Sequence, residues 1–148
     1  MSNLVKLLDF PPLGDNRGSL VALEANKKVP FDIKRVYYMF GTKPGVMRGS
    51  HAHKTLIQLA VCVSGSCCML LDNGQTKEEI LLDSPTTGLV LENLVWHELH
   101  DCSSDCVLLV LASDYFDEGD YIRNYDDFKQ CHQSILLDKP QDSLEIEL

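Results

Sequence analysis

The sequence predicts an all-β fold, an antiparallel barrel or jelly roll with a short helical segment at its carboxyl end. Short runs rich in β-branched and aromatic residues recur at regular spacing with turn residues between them. Hardly any helical period is visible before residue 115. At 148 residues, 45% hydrophobic and 24% charged, the chain has the size and composition of one domain with a real core.

The elements follow in order. Leu4 to Leu8 is a short apolar strand, ended by Phe10-Pro-Pro-Leu-Gly14, which cannot continue a ladder. Asp15-Asn-Arg-Gly18 turns into a strand over Ser19 to Glu24. Ile33 to Phe40 is the next strand, and parity puts Arg35 with Tyr37 on one face and Val36 with Tyr38 on the other. Pro44-Gly45 then turns into a strand carrying Arg48 to His53, and Leu56 to Val63 follows. Cys67 to Leu71 and Glu78 to Leu82 form a hairpin across Asp72-Asn-Gly-Gln75. Leu89 to Leu91, Val95 to His100 and Asp105 to Ala112 complete a barrel over about residues 15–113. Asp120 to Gln133 carries Tyr121, Ile122, Tyr125 and Phe128 at roughly helical spacing and predicts one or two short helices packed on it.

Composition excludes several function classes. With 13 basic against 22 acidic residues the net charge is −9, which disfavours nucleic acid or an anionic membrane as a partner. An anionic ligand needs a local basic pocket, and Arg17, Lys34, Arg35, Arg48 and Lys54 place it in the first third, away from the acidic and apolar tail Asp138 to Leu148. The opening residues are too polar for a signal peptide and no apolar run has the length of a membrane span, so the expected location is cytoplasmic. Six cysteines without a CxxC spacing read as buried thiols, not as a zinc ribbon.

The chemistry concentrates at Arg48-Gly-Ser-His-Ala-His53. In a strand His51 and His53 share a face, so two imidazoles look into one space. Such a pair serves either proton transfer or metal ligation.

The spacing Gly45-x5-His51-x-His53-x4-Gln58-x6-Gly65 reproduces the first signature of the cupin superfamily, with Gln58 where a glutamate ligand stands in metal-binding members. Pro85 to Gly88 and Trp96-His97 resemble a loosened second signature. The missing carboxylate shifts the reading from metal towards proton chemistry, although His51, His53 and His97 alone still make a three-histidine set. Further matches lie at Arg17-Gly-Ser-Leu20, Lys34 to Tyr38, Arg48 to Lys54, Val95 to Glu98, Leu111 to Tyr115 and Asp120 to Phe128. Together they resemble the WxcM-like nucleotide-sugar 3,4-ketoisomerases, which act on dTDP-4-keto-6-deoxyglucose, over Leu4 to about Leu137.

That resemblance implies a cupin-type double-stranded β-helix and a cofactor-free, metal-independent isomerase supplying deoxysugars for glycans such as O-antigen or S-layer chains. It implies that His53 takes the C3 proton, with His51 as partner or as the donor at C4. Tyr37 is expected to hydrogen-bond the sugar, and Arg48 to hold the diphosphate or the oxyanion. Arg17 and His97 fall near the sugar and favour the galacto product. A homodimer is expected, with the amino-terminal strand covered or exchanged. Competing readings are a dTDP-sugar 3,5-epimerase, a metal-dependent cupin dioxygenase and a non-catalytic sugar-binding cupin. Residue by residue, Tyr37 and Trp96 also fit core aromatics, Arg17 a surface ion pair, and Asp114 to Asp120 a solvated loop and helix start.

Overall fold

The computed structural model describes residues 4–137, so the acidic tail from Asp138 lies outside the described residues. Two five-stranded antiparallel sheets face each other, the cupin-type jelly roll expected from the sequence. The first runs β1 (Leu7–Asp9), β9 (Thr87–Leu91), β6 (Gln58–Ser64), β11 (Val107–Ala112), β4 (Arg35–Phe40). The second runs β12 (Tyr121–Ile122), β5 (Arg48–His53), β10 (Trp96–His100), β7 (Cys67–Asp72), β8 (Lys77–Leu82). A small hairpin of β2 (Leu13–Asp15) and β3 (Gly18–Leu20) stands apart from both.

The alternation of the strands builds three apolar layers. Ala60, Leu89, Leu91, Leu108 and Val110 of the first sheet meet Met69, Leu71, Leu82 and Leu99 of the second in the barrel interior. β6 reads as an unbroken apolar run because its outward residues are buried too: Leu59 and Val61 pack against Phe10, Val29 and Phe31 from the amino-terminal loops. On the outside of the second sheet, Ala52, Trp96 and Ile122 are covered by Phe128, which is 0% exposed. Burying such a ring is worth roughly 2–3 kcal/mol, enough to dock the helix that carries it.

Three expectations are corrected. The segment over Ser19 to Glu24 is the end of the β2–β3 hairpin followed by loop, because Val21 and Leu23 pack under the first sheet instead of pairing. The amino-terminal strand is Leu7–Asp9, and it pairs with β9 of its own chain, Leu7 opposite Leu89. Asp120 to Gln133 is not continuously helical. Glu118–Asp120 is a single 3-10 turn, Tyr121–Ile122 pairs with β5, and the helix α1 spans Tyr125–Leu137. Asn124 starts α1, its side-chain oxygen accepting from the Asp127 N–H at 3.0 Å, with Asp126 and Asp127 favourably placed in the first turn.

Candidate active site

β5 is bulged. His97 of β10 stands opposite His51 and Leu99 opposite Arg48, so one strand spends three steps where the other spends two. Gly49 absorbs the extra residue at φ +67°, a conformation that costs a side-chain-bearing residue. Strict alternation would send Arg48 and His51 to opposite faces. The bulge brings both to the wall of one cavity.

That cavity, about 310 Å³, lies inside the barrel between the sheets. Leu91, Leu108 and Val110 give it a buried apolar floor, while the polar wall holds Tyr37, His51 and His97. Arg35, Arg48 and Arg123 line it as well, three fixed positive charges in a protein of net charge −9. The local basic pocket required for an anion is therefore present, although one of its arginines comes from the far end of the chain.

His51, His53 and His97 cluster tightly. His51 is edge-on to His53 at 4.8 Å between centroids and to His97 at 4.5 Å. Only His51 and His97 line the main cavity. His53 is 3% exposed and borders a small recess behind it. There its Nδ1 lies 3.2 Å from Oδ2 of Asp120, and its buried Nε2 has no hydrogen-bond partner. The Asp120 carboxylate also accepts from the Thr55 N–H, the Thr55 hydroxyl and the Leu56 N–H. Burial opposes its charge, but those hydrogen bonds prevail and hold it below the usual carboxylate range.

All three imidazoles are neutral at neutral pH. Burial, then the neighbouring His53, pushes His51 down to about 4. Burial and His97 push His53 down to about 4 against the pull of Asp120. Burial and His51 take His97 to about 3. Tyr37 moves the other way, to about 12, through burial and the nearby Tyr121. Its phenol stays protonated and donates to the Gln58 side-chain oxygen at 2.6 Å, leaving the phenolic lone pairs to accept from a ligand hydroxyl.

As a metal set, the three histidines offer nitrogens all within 4.8 Å of one another. Gln58, 1% exposed, stands in the carboxylate position with its oxygen committed to Tyr37. Among the described residues, the carboxylate bound to the cluster is that of Asp120, which touches His53.

The sequence-derived residues are thus gathered with one exception. Arg17 sits on the β2–β3 hairpin, its side chain 87% exposed and paired to Asp15 at 2.6 Å, and does not line the cavity of its own chain. Trp96 is 4% exposed and packs against Tyr125 and Phe128, the core role. The acidic run is solvent-facing at Asp114, Asp117 and Glu118 as expected, and Asp120 alone turns inward, 13% exposed. Tyr121 was missed as well: β12 holds it opposite His53, its ring 4.3 Å from that of His53 and 4.9 Å from that of His51. The Arg123 guanidinium lies over the Tyr121 ring, 4.2 Å from its centroid. The only sequence signal for these was the Asp120-Tyr-Ile-Arg123 match, which helical spacing concealed.

Comparisons with known proteins agree with this geometry. A family model described as FdtA, WxcM-like, C-terminal, matches residues 3–133. The TDP-4-oxo-6-deoxy-alpha-D-glucose-3,4-oxoisomerase of Aneurinibacillus thermoaerophilus is 58% identical over 134 residues, 90% of this chain and 96% of the relative. A double mutant of the QdtA 3,4-ketoisomerase from Thermoanaerobacterium thermosaccharolyticum, in complex with TDP, is 43% identical with a TM-score of 0.88, covering 93% of this chain and 100% of the other. The WlaRB TDP-quinovose 3,4-ketoisomerase of Campylobacter jejuni is 49% identical with a TM-score of 0.83, covering 87% and 99%. With a match over nearly its whole length, the chain belongs to the WxcM-like FdtA family.

Proposed function

We propose that this chain is a nucleotide-sugar 3,4-ketoisomerase that converts TDP-4-keto-6-deoxyglucose to a TDP-3-keto-6-deoxyhexose. The observation that carries the mechanism is His51, a neutral imidazole on the cavity wall with a neutral histidine backed by a carboxylate beside it.

The C4 ketone acidifies the C3 hydrogen. A base removes it to give an enediolate, and protonation at C4 leaves the ketone at C3, so the reaction consumes no oxidant or reductant. The base must touch the sugar. His51 lines the cavity and His53 does not, so the geometry favours His51 as the base in place of His53. His53 becomes the positioning residue, its ring fixed by Asp120 and its unpartnered Nε2 able to take up or return a proton through His51. Tyr37 accepts from a sugar hydroxyl, and the cationic wall of Arg35, Arg48 and Arg123 holds the diphosphate and steadies the developing oxyanion. His97, 6% exposed and opposite His51, is placed to influence the face on which C4 is protonated, and the galacto product remains the expected one.

A homodimer belongs to the same proposal. β4 ends its sheet, and Val36, Tyr38 and Phe40 project from it 55%, 61% and 68% exposed, an apolar stripe suited to a second copy. Such an arrangement gives the outlying Arg17 a partner's cavity to reach. The product is destined for glycan deoxysugar synthesis in the cytoplasm; among the described residues no helix is long and apolar enough to cross a membrane.

The test is incubation with TDP-4-keto-6-deoxyglucose in deuterated water, followed by NMR. Deuterium at C4 of a 3-ketosugar is expected. Deuterium at C5 selects a 3,5-epimerase instead, and no exchange at all leaves only a sugar-binding protein. A metal that is lost in the His51→Asn variant, and whose chelation abolishes turnover, would sink the metal-independent route.

A further inference from the structure

Away from the histidine cavity, three cysteines meet where the β6–β7 turn and the β10–β11 connection close one end of the barrel, with a fourth on that connection. Cys62 lies near the end of β6, Cys67 opens β7, Cys106 immediately precedes β11, and Cys102 lies in the connection. Cys62, Cys67 and Cys106 are 1%, 0% and 5% exposed, and all are free thiols. Their sulfurs lie within 4.8 Å of one another, with 3.9 Å between Cys62 and Cys106. Cys102, four residues before Cys106 on the same connection, is half-buried and stands outside this tight group.

A single buried thiol packs as a small hydrophobe. Several converging on one point is a donor set. In a tetrahedral thiolate site with metal–sulfur bonds of about 2.3 Å, the sulfurs stand about 3.8 Å apart. The Cys62–Cys106 separation already has that value. The chain offers the donors as two close pairs, Cys62-x4-Cys67 and Cys102-x3-Cys106, within the short-loop spacing of structural zinc sites although neither pair is a CxxC. The histidines are not involved. His97 pairs with Leu71 of β7, and Cys67 lies four residues further along that strand, about 13 Å away.

We propose that Cys62, Cys67 and Cys106, joined by Cys102 from the neighbouring connection as the fourth donor, form a tetrahedral thiolate site for a zinc-class divalent cation, tying together the ends of β6, β7 and β11. Each thiol exchanges its S–H bond for a sulfur–metal bond and releases its proton to solvent, so one dication enters and four protons leave.

The experiment is a Co²⁺ titration of the full chain, stripped with chelator under reducing conditions. One equivalent is expected to give intense tetrahedral visible bands and a near-ultraviolet thiolate-to-cobalt band. Zn²⁺ should displace them and raise the thermal midpoint by several degrees. The bands should survive in His51→Asn and disappear in Cys106→Ser. Absence of the thiolate band at saturating Co²⁺, its persistence in Cys106→Ser, or its loss in His51→Asn overturns the site. If Cys106→Ser does not fold, alkylation of the wild-type chain decides: protection of the four thiols by Zn²⁺ supports the proposal, and unchanged alkylation refutes it. A Cys62–Cys106 disulfide found in the metal-treated, reduced protein refutes it as well.

Discussion

His53 Nδ1 and Asp120 Oδ2 lie 3.2 Å apart across 67 residues of sequence, one on β5 and the other at the entrance to β12. A neutral histidine bound this way keeps its proton on Nδ1 and its lone pair on Nε2, facing away from the carboxylate.

Asp120→Asn removes that tautomer control while keeping the shape of the side chain. The expected result is a fall in kcat on the order of 100-fold with little change in KM, since the pair acts on the proton and not on substrate binding. Steady-state kinetics separates the two. A rise in KM alone would show Asp120 to be merely a loop fastener through Thr55 and Leu56.

Two asparagine variants divide the roles of the paired histidines. His51→Asn should lose at least about 1000-fold in turnover while still binding TDP, because it removes the group that touches the substrate. His53→Asn should be less severe, on the order of 10- to 100-fold. Binding calorimetry with TDP and single-turnover rates measure both. The reverse ranking would restore His53 as the base.

Acid should affect activity and stability at different pH values. The acidic limb of kcat/KM is expected near 4, the value to which His51 is lowered, and not near its ordinary 6.5. For stability, the folded values of about 4, 4 and 3 lie below the unfolded 6.5, so the unfolded chain takes up protons first as pH falls. The contribution of the neutral imidazoles is intact above 6.5 and is lost progressively down to about 3. Thermal midpoints across that range test it, and these groups contribute no change above pH 7.

Gly49→Ala should cost about 1 kcal/mol in stability, the penalty for a side chain at positive φ, and should raise KM. A built Cβ meets nothing closer than 3.8 Å, so the cost is one of backbone conformation and not of a clash. Denaturant titration and KM measured together distinguish a misplaced Arg48 from general loosening.

Phe40→Glu on the outer face of β4 should leave the fold intact, because the side chain is 68% exposed, and should convert the proposed dimer to monomer. Light scattering reads the outcome, and an unchanged mass would rule out this face as the interface.

What could be read in the sequence was whatever depends on a period of two. Arg35 and Tyr37 face the cavity together, and His51 and His53 lie on one side of β5, as parity required. What could not be read breaks that period or spans the chain. The Gly49 bulge rotates Arg48 into the site; a lone glycine within a strand is a bulge signal, but a reading by strict alternation passes over it. Asp120 sits in an acidic run that composition assigns to solvent, and only the docking of β12 on β5 turns its carboxylate inward. His51 and His53 are equivalent in sequence. They differ once Tyr121 and Asp120 close the recess behind one and leave the other on the open wall.

The position of β12 also sets an order of events during synthesis. The barrel strands through β11 can pair and bury their core before residues 120–123 leave the ribosome, yet at that stage His53 has no carboxylate, Tyr121 does not cover the imidazoles and the cavity lacks Arg123. The proposed proton-transfer site is therefore complete only once this last strand has docked on β5, so the chain's final ordered segment, not the barrel proper, finishes the active site.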